Sequence, residues 1–182
     1  MIFTETALVD AFVIDPEPFE DARGLFARTW CERELQARGL DTAIAQCSTS
    51  FNKRKGTLRG LHYQVPPAAE TKIVRCTRGS LYDVIVDLRP DSPTFLGHLA
   101  FVLTADNRRM LYVPKGFAHG FQTLEDGTEI FYQISEFSAP EHARGVRWDD
   151  PLFGIAWPAD DRTIIERDRH YPDFRPAEVR AR

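Results

Sequence analysis

The sequence predicts an all-β protein, a jelly roll with one or two short helices, and three observations carry that prediction. Short β-branched and aromatic runs recur along the chain between Gly, Pro, Asn and Asp, while only one stretch shows clear helical signals. The 182 residues are the size of one domain, and no linker-like stretch divides them, so residues 1–182 read as a single unit around one core. Hydrophobic residues at 43%, aromatics at 12% and charged residues at 27% match a globular chain that folds alone. Many short strands with almost no helix leave closed barrels and double-sheet jelly rolls, both of which protect strand edges, and the jelly roll is preferred.

The helix comes first. Thr29 is placed to cap it, Glu32 three residues on completes a capping box, Cys31 and Leu35 share a face, and Gly39 ends it after about two turns. Thr71 to Thr77 and Leu81 to Leu88 read as strands joined in a hairpin through Arg78-Gly79-Ser80, and Arg89-Pro90-Asp91-Ser92-Pro93 then breaks the sheet. Leu96 to Leu103 and Met110 to Val113 flank a turn at Ala105-Asp106-Asn107. Thr128 to Phe137 follows the turn Glu125-Asp126-Gly127, and from Pro140 onward the chain is loop-rich and holds Trp148 and Trp157.

Composition excludes several classes. A net charge of −4 and a pI near 5.7 argue against nucleic-acid binding through phosphate attraction. The longest apolar runs, such as Val84-Ile85-Val86, fall far short of the ~18 residues of a membrane helix. Met1 to Ile14 carries Glu5 and Asp10 and lacks a basic head before an apolar block, so it does not read as a secretory signal, and a cytoplasmic location is expected. Cys31, Cys47 and Cys76 are odd in number and lack C-x-x-C spacing; each is expected as a small buried or half-buried apolar residue, not part of a disulfide or zinc site.

Residues two apart on a strand share a face, and that rule selects the polar groups worth following. Ile130, Tyr132 and Ile134 fall on one face, which points Tyr132 inward; position alone leaves it either a core tyrosine with a satisfied hydroxyl or a pocket residue. Lys72 shares a face with Val74 and Cys76. It either holds an anion inside or snorkels to water from an edge strand, together with Arg75. His62 alternates with Leu58, Gly60 and Gln64, and His119 lies in Lys115-Gly116-Phe117-Ala118-His119-Gly120-Phe121. Both sit among glycines, which mark close approach of a ligand or a second backbone. His98, His142 and His170 lack such a setting.

Pro114-x-Gly116-x-x-His119 is similar to the second metal motif of cupins, but the first motif, with two histidines one residue apart and a downstream carboxylate, is missing. His62-Tyr63-Gln64 and Glu70 do not supply a three-ligand open site, so no metal is expected.

Taken together, Leu58-Arg59-Gly60-Leu61-His62-Tyr63-Gln64, Lys72-Ile73-Val74-Arg75-Cys76, Val113-Pro114-Lys115-Gly116-Phe117-Ala118-His119-Gly120-Phe121, Gly145-Val146-Arg147-Trp148-Asp149-Asp150-Pro151 and Glu166-Arg167-Asp168 resemble the dTDP-4-dehydrorhamnose 3,5-epimerase family over nearly the whole chain. The resemblance implies a cupin-like jelly roll (a double-stranded β-helix), a homodimer without metal or organic cofactor, and epimerisation at C3 and C5 of a nucleoside-diphosphate 4-keto-6-deoxyhexose. It also implies roles. His62 is the base, Asp168 orients it, Lys72 holds the enolate oxygen, and Tyr132 returns the proton from the far side. Arg23 and Arg59 match positions that contact the diphosphate, and Phe26, Gln46, His119 and Arg167 are further substrate-binding positions. Three departures stand out. Arg28 lies near a position where the family commonly has a glutamate that helps hold the nucleotide base. Gln46-Cys47-Ser48-Thr49-Ser50 replaces Gln-Asp-Asn-His-Ser, and Phe137-Ser138 stand where the family often has two tyrosines. Epimerisation of one carbon only, and keto-group transfer between carbons by the same enolate, are the alternative activities.

Overall fold

The structure is a computed structural model, and residues 1–177 of it are described. In chain order the elements are β1 (Ile2–Glu5), β2 (Phe12–Asp15), β3 (Phe19–Asp21), β4 (Gly24–Phe26), α1 (Glu32–Gln36), β5 (Gln46–Asn52), β6 (Leu58–Gln64), β7 (Lys72–Arg78), β8 (Ser80–Asp87), β9 (His98–Thr104), β10 (Met110–Val113), β11 (Phe117–Thr123), β12 (Thr128–Ile134), β13 (Ala143–Gly145) and α2 (Glu166–Arg169). One antiparallel sheet runs β1-β2-β10-β7-β12-β5, a second runs β13-β6-β11-β8-β9, and β3 and β4 form a separate ribbon. No helix among the described residues is long and apolar enough to cross a membrane.

From β5 to β12 the chain changes sheet at every connection except β8 to β9, which is the winding of a jelly roll. This corrects one reading of the turns. The Arg78-Gly79-Ser80 link is not a hairpin: β7 pairs with β10 and β12, β8 pairs with β9 and β11, and the link is a corner between sheets. Gly79 makes that corner at φ +74, where a Cβ would come 2.6 Å from the Thr128 Oγ1.

Strand alternation sorts the core into three layers. Between the sheets, Val74, Cys76, Leu111 and Ile130 of one meet Leu81, Ile85, Leu103, Phe117 and Phe121 of the other. The outer face of the second sheet, through Val84, Val86 and Ala118, is covered by Val146, Phe153, Trp157 and Ile164 from the loop-rich last third. The Trp157 indole N–H donates to the Trp148 carbonyl at 2.8 Å, which fixes that cover. The outer face of the first sheet buries Ile14, Ile73, Met110 and Tyr112 against Leu35 of α1.

Helix α1 is shorter than expected and begins differently. Cys31, not Thr29, occupies the N-cap, in extended conformation and with no side-chain cap hydrogen bond; the Cys31 carbonyl accepts the first helical bond, from Leu35 N–H. Acidic Glu32 and Glu34 in the first turn favour the start through the helix dipole instead. The end is as expected. Gly39 adopts φ +69, and the N–H groups of Leu40 and Gly39 donate back to the carbonyls of Leu35 and Gln36, a Schellman closure. Of the cysteines, Cys76 is buried and Cys31 half-buried, but Cys47 is exposed, because it lies on the edge strand β5.

Candidate active site

A cavity of about 330 Å³ is lined from β5, β7 and β12 of one sheet and from β6 and β11 of the other, with Arg167 of α2 also lining it. His62, Lys72, Tyr132, His119, Arg59 and Arg167 all line it.

His62 reaches this cavity through a bulge. Alternation over Leu58, Gly60, His62 and Gln64 predicts one shared face, yet Leu58 packs in the outer layer while Arg59 and His62 both line the cavity. The pairing explains the difference: His119 lies opposite His62 and Phe121 opposite Arg59, so β6 carries one more residue than β11 between these pairs. Gly60 sits at the bulge with φ +122, and a Cβ there would come 2.5 Å from the Gly120 Cα. The two glycines let the backbones of β6 and β11 meet, which is the close approach expected of them.

Behind His62 lies Asp168, wholly buried. Its Oδ1 is 2.8 Å from the His62 Nε2, its Oδ2 accepts from the Gly60 N–H at 3.1 Å, and the Arg167 Nε donates to Oδ1 at 3.2 Å. Burial pushes this carboxyl up, but the hydrogen bonds and charge of His62, with Gly60 and Arg167, outweigh it and hold the group below the usual carboxylate range. An ionised Asp168 takes the Nε2–H of the imidazole and leaves Nδ1 as the basic nitrogen.

Lys72 turns inward and does not snorkel, since β7 lies in the middle of its sheet between β10 and β12. Its ammonium is 2.8 Å from the Glu70 Oε1 and 3.4 Å from the His62 carbonyl, and both side chains of the ion pair are nearly buried. Arg75 faces outward over the Phe131 ring.

Tyr132 packs against the inner core and stands edge-on to His119, ring centroids 6.1 Å apart. Burial, reinforced by the charge of Asp83 and opposed by Arg59, pushes its phenol well above the ordinary tyrosine range, so it is a neutral proton donor near pH 7. The His119 Nε2 lies 2.9 and 3.0 Å from the two oxygens of Asp83, both residues buried. Arg59 donates from Nε to the Asn52 Oδ1 at 2.8 Å, and Asn52 is tied to the Ser50 and Thr128 carbonyls.

A match to the dTDP-4-dehydrorhamnose 3,5-epimerase family extends over residues 5–176. The chain belongs to this family. The dTDP-4-dehydrorhamnose 3,5-epimerase of Sinorhizobium fredii is 40% identical over 175 residues, covering 96% of this chain and 90% of the relative. The crystal structure of the Bacillus anthracis epimerase with TDP and PPi bound is 40% identical with a TM-score of 0.91, covering 95% of this chain and 99% of that one. The Legionella pneumophila epimerase, in complex with dTDP-4-keto-L-rhamnose, is 31% identical with a TM-score of 0.86, covering 92% and 89%. The chain is an isomerase of the carbohydrate-epimerase kind with the expected cupin-like jelly roll.

Not every residue carried over from the epimerase family meets in one cavity. Gln46 lines a neighbouring hollow of about 100 Å³ with Gln64, Glu70, Glu136 and Ser138; Ile134 lines both spaces. Phe137 is exposed, and Arg28 pairs with Glu34 at the surface. Arg23 and Phe26 line a separate hollow on the β3–β4 ribbon, with Phe19 and Asp21, and share no lining residue with the His62 cavity. A larger hollow of about 620 Å³ holds none of the predicted site residues, and its Arg89 and Lys115 are paired with carboxylates.

Sequence reasoning missed Asn52 and Asp83, and weighed Glu70 only as a metal ligand, not as the partner of Lys72. Asp83 had a signal: it shares the inward phase of Leu81 and Ile85, and a carboxylate there needs a buried partner. Glu70 precedes β7 and Asn52 ends β5, in the phase of the cavity-lining Lys72 and of Ser48 and Ser50, but nothing in the sequence names the partners they hold, Lys72 and Arg59.

Proposed function

We propose that this epimerase inverts C3 and C5 of a dTDP-4-keto-6-deoxyhexose by proton abstraction and return, with no metal or organic cofactor. The observation that supports this most is that His62 and Tyr132 come from opposite sheets and line one cavity with Lys72, which lies on the strand next to Tyr132 with its ammonium 3.4 Å from the His62 carbonyl. The C4 ketone acidifies the protons on C3 and C5. The His62 Nδ1 takes such a proton, and the C–H electron pair moves into an enolate whose oxygen is held by the Lys72 ammonium. Asp168 stabilises the imidazolium through Nε2–H. Tyr132 delivers its phenolic proton to the opposite face of the carbon, which inverts it, and Arg59 offsets the phenolate charge left behind. Exchange with solvent returns the proton from His62 to Tyr132, so each turnover balances.

Arg59 and Arg167, both at the cavity, suit the diphosphate, because a guanidinium fork matches phosphate oxygens. His119 and Gln46 are assigned to the sugar end. Arg23 and Phe26 are assigned to the nucleotide and diphosphate as well, and their place in a hollow that shares no lining residue with their own chain's cavity fits a homodimer in which the β3–β4 ribbon serves a second copy; the exposed Phe19 and Phe26 are apolar surface such an assembly would cover. A cytoplasmic location completes the proposal, since sugar nucleotides are made there. Incubation with dTDP-4-keto-6-deoxyglucose followed by NMR assignment of the products tests it. Inversion at both carbons is expected, inversion at one would make this a single-carbon epimerase and direct attention to Phe137 and Ser138, and a shifted keto group would overturn it in favour of ketoisomerisation.

A further inference from the structure

Behind the imidazole stands a residue that the chemistry above does not use. The Tyr171 ring is edge-on to His62, with centroids 6.3 Å apart and planes at 71°. The ring rests on the backbone of Gly145, where any Cβ would overlap its atoms. Gly145 is the β13 residue paired with His62 across to β6, so strand pairing sets Tyr171 beside the base. Tyr171 follows α2 and lies three residues after Asp168; one short segment therefore supplies the carboxylate on Nε2, the ring beside the imidazole and the Arg167 guanidinium, whose Nη2 is 3.2 Å from the His62 Nε2 and which also lies beside the Tyr171 hydroxyl.

A single hydrogen bond to Asp168 leaves an imidazole free to pivot about that bond, and a base must hold its lone pair toward one C–H within a few tenths of an ångström. We propose that Tyr171, seated on Gly145, is a positioning residue for the base: its ring fixes the plane of His62 so that Nδ1 faces the sugar while Nε2 stays on Asp168. Tyr171 does not line the cavity, so it acts through His62 and not on the substrate. The inference rests on the epimerase reading of the site.

The test compares Tyr171→Phe, Tyr171→Leu and Tyr171→Ala in the full-length protein, with kcat and KM measured separately on dTDP-4-keto-6-deoxyglucose. Phe keeps the ring edge and is expected to hold kcat within about threefold of wild type. Leu keeps apolar volume without a flat ring and Ala removes both; each is expected to lower kcat about 10- to 100-fold with KM changed less than about twofold. Nitrogen-15 and proton spectra of the His62 ring, which need no turnover, are expected to show the Nε2–H tautomer throughout, because Asp168 sets it, with a sharp ring signal in wild type and Tyr171→Phe and one broadened by ring motion in Tyr171→Leu. Wild-type kcat in Tyr171→Leu with an unbroadened ring signal would overturn the proposal, as would a loss that Phe fails to rescue. A wild-type protein that forms no epimer while its His62 ring signal still broadens with the Tyr171 substitutions would overturn the epimerase reading and leave the positioning role intact.

Discussion

Replacing Asp168 by Asn keeps shape and volume but removes one acceptor and the charge. In the wild type both oxygens accept, one from His62 and one from the Gly60 N–H, in a fully buried position. An amide has one oxygen for these two donors and for the Arg167 Nε–H, which also reaches Oδ1. If that oxygen stays on Gly60, the amide NH₂ faces the His62 Nε2, which must then accept; the ring proton moves to Nδ1, and the basic nitrogen is capped. If the amide turns over, an N–H faces the Gly60 N–H and a buried donor is left without a partner. Losing a charge-assisted hydrogen bond to the imidazolium costs about 1.5–3 kcal/mol, or about 10- to 150-fold in rate, and the wrong tautomer adds to that. The expected fall in kcat is therefore about 10²- to 10⁴-fold, with little change in KM, because Asp168 does not line the cavity. The assay is product formation by NMR on folded protein, with a melting curve as the folding control. A kcat within threefold of wild type would refute the dyad.

Further outcomes follow from the same geometry. Tyr132→Phe removes the returning proton but not the base, so solvent deuterium should still enter the sugar while epimer formation falls about 10²-fold or more; unchanged epimer yield would remove Tyr132 from the chemistry. Gly60→Ala places a Cβ against Gly120 at a positive φ and should cost about 2–5 kcal/mol in urea unfolding, whereas a cost below 1 kcal/mol would contradict the close strand contact. Burial acts to raise the Asp87 carboxyl, but hydrogen bonds from Arg89, Ser92 and Thr94 hold it below its ordinary value, as His62 and its neighbours do for Asp168. Groups depressed in the fold contribute stability that is present above their unfolded pKa and lost as pH falls through the folded one, so stability should decline below about pH 4, and less steeply in Asp87→Asn. Burial pushes the Cys76 thiol up to about 11, so a thiol reagent at pH 8 should modify the exposed Cys47 in the folded protein and reach Cys76 only on unfolding.

Much of this architecture is legible from strand alternation alone. Ile130 and Ile134 beside Tyr132 point it to the inner face, where the structure has it; Val74 and Cys76 beside Lys72 left inward and snorkelling positions open, and the central place of β7 in its sheet decides for the first. Sheet membership is not legible in the same way. Arg78-Gly79-Ser80 has the chemistry of a tight turn, but turn chemistry is local and does not say whether the next strand returns beside the last one or crosses to the other sheet. The bulge at Gly60 is hidden for a similar reason: it depends on the pairing with β11, and one extra residue moves Arg59 to the face of His62. Thr29 satisfied a local capping rule, yet the fold starts α1 two residues later. Asp168 lies 106 residues from His62 in sequence, and no spacing rule connects them; only resemblance to known epimerases did.

The most direct test of the account is proton NMR in deuterium oxide with dTDP-4-keto-6-deoxyglucose, following the C3 and C5 protons with wild type and with His62→Asn. The account predicts that wild type exchanges both protons as new epimers appear, and that His62→Asn exchanges neither above background. Exchange in His62→Asn at the wild-type rate would contradict it, because another group would then be the base.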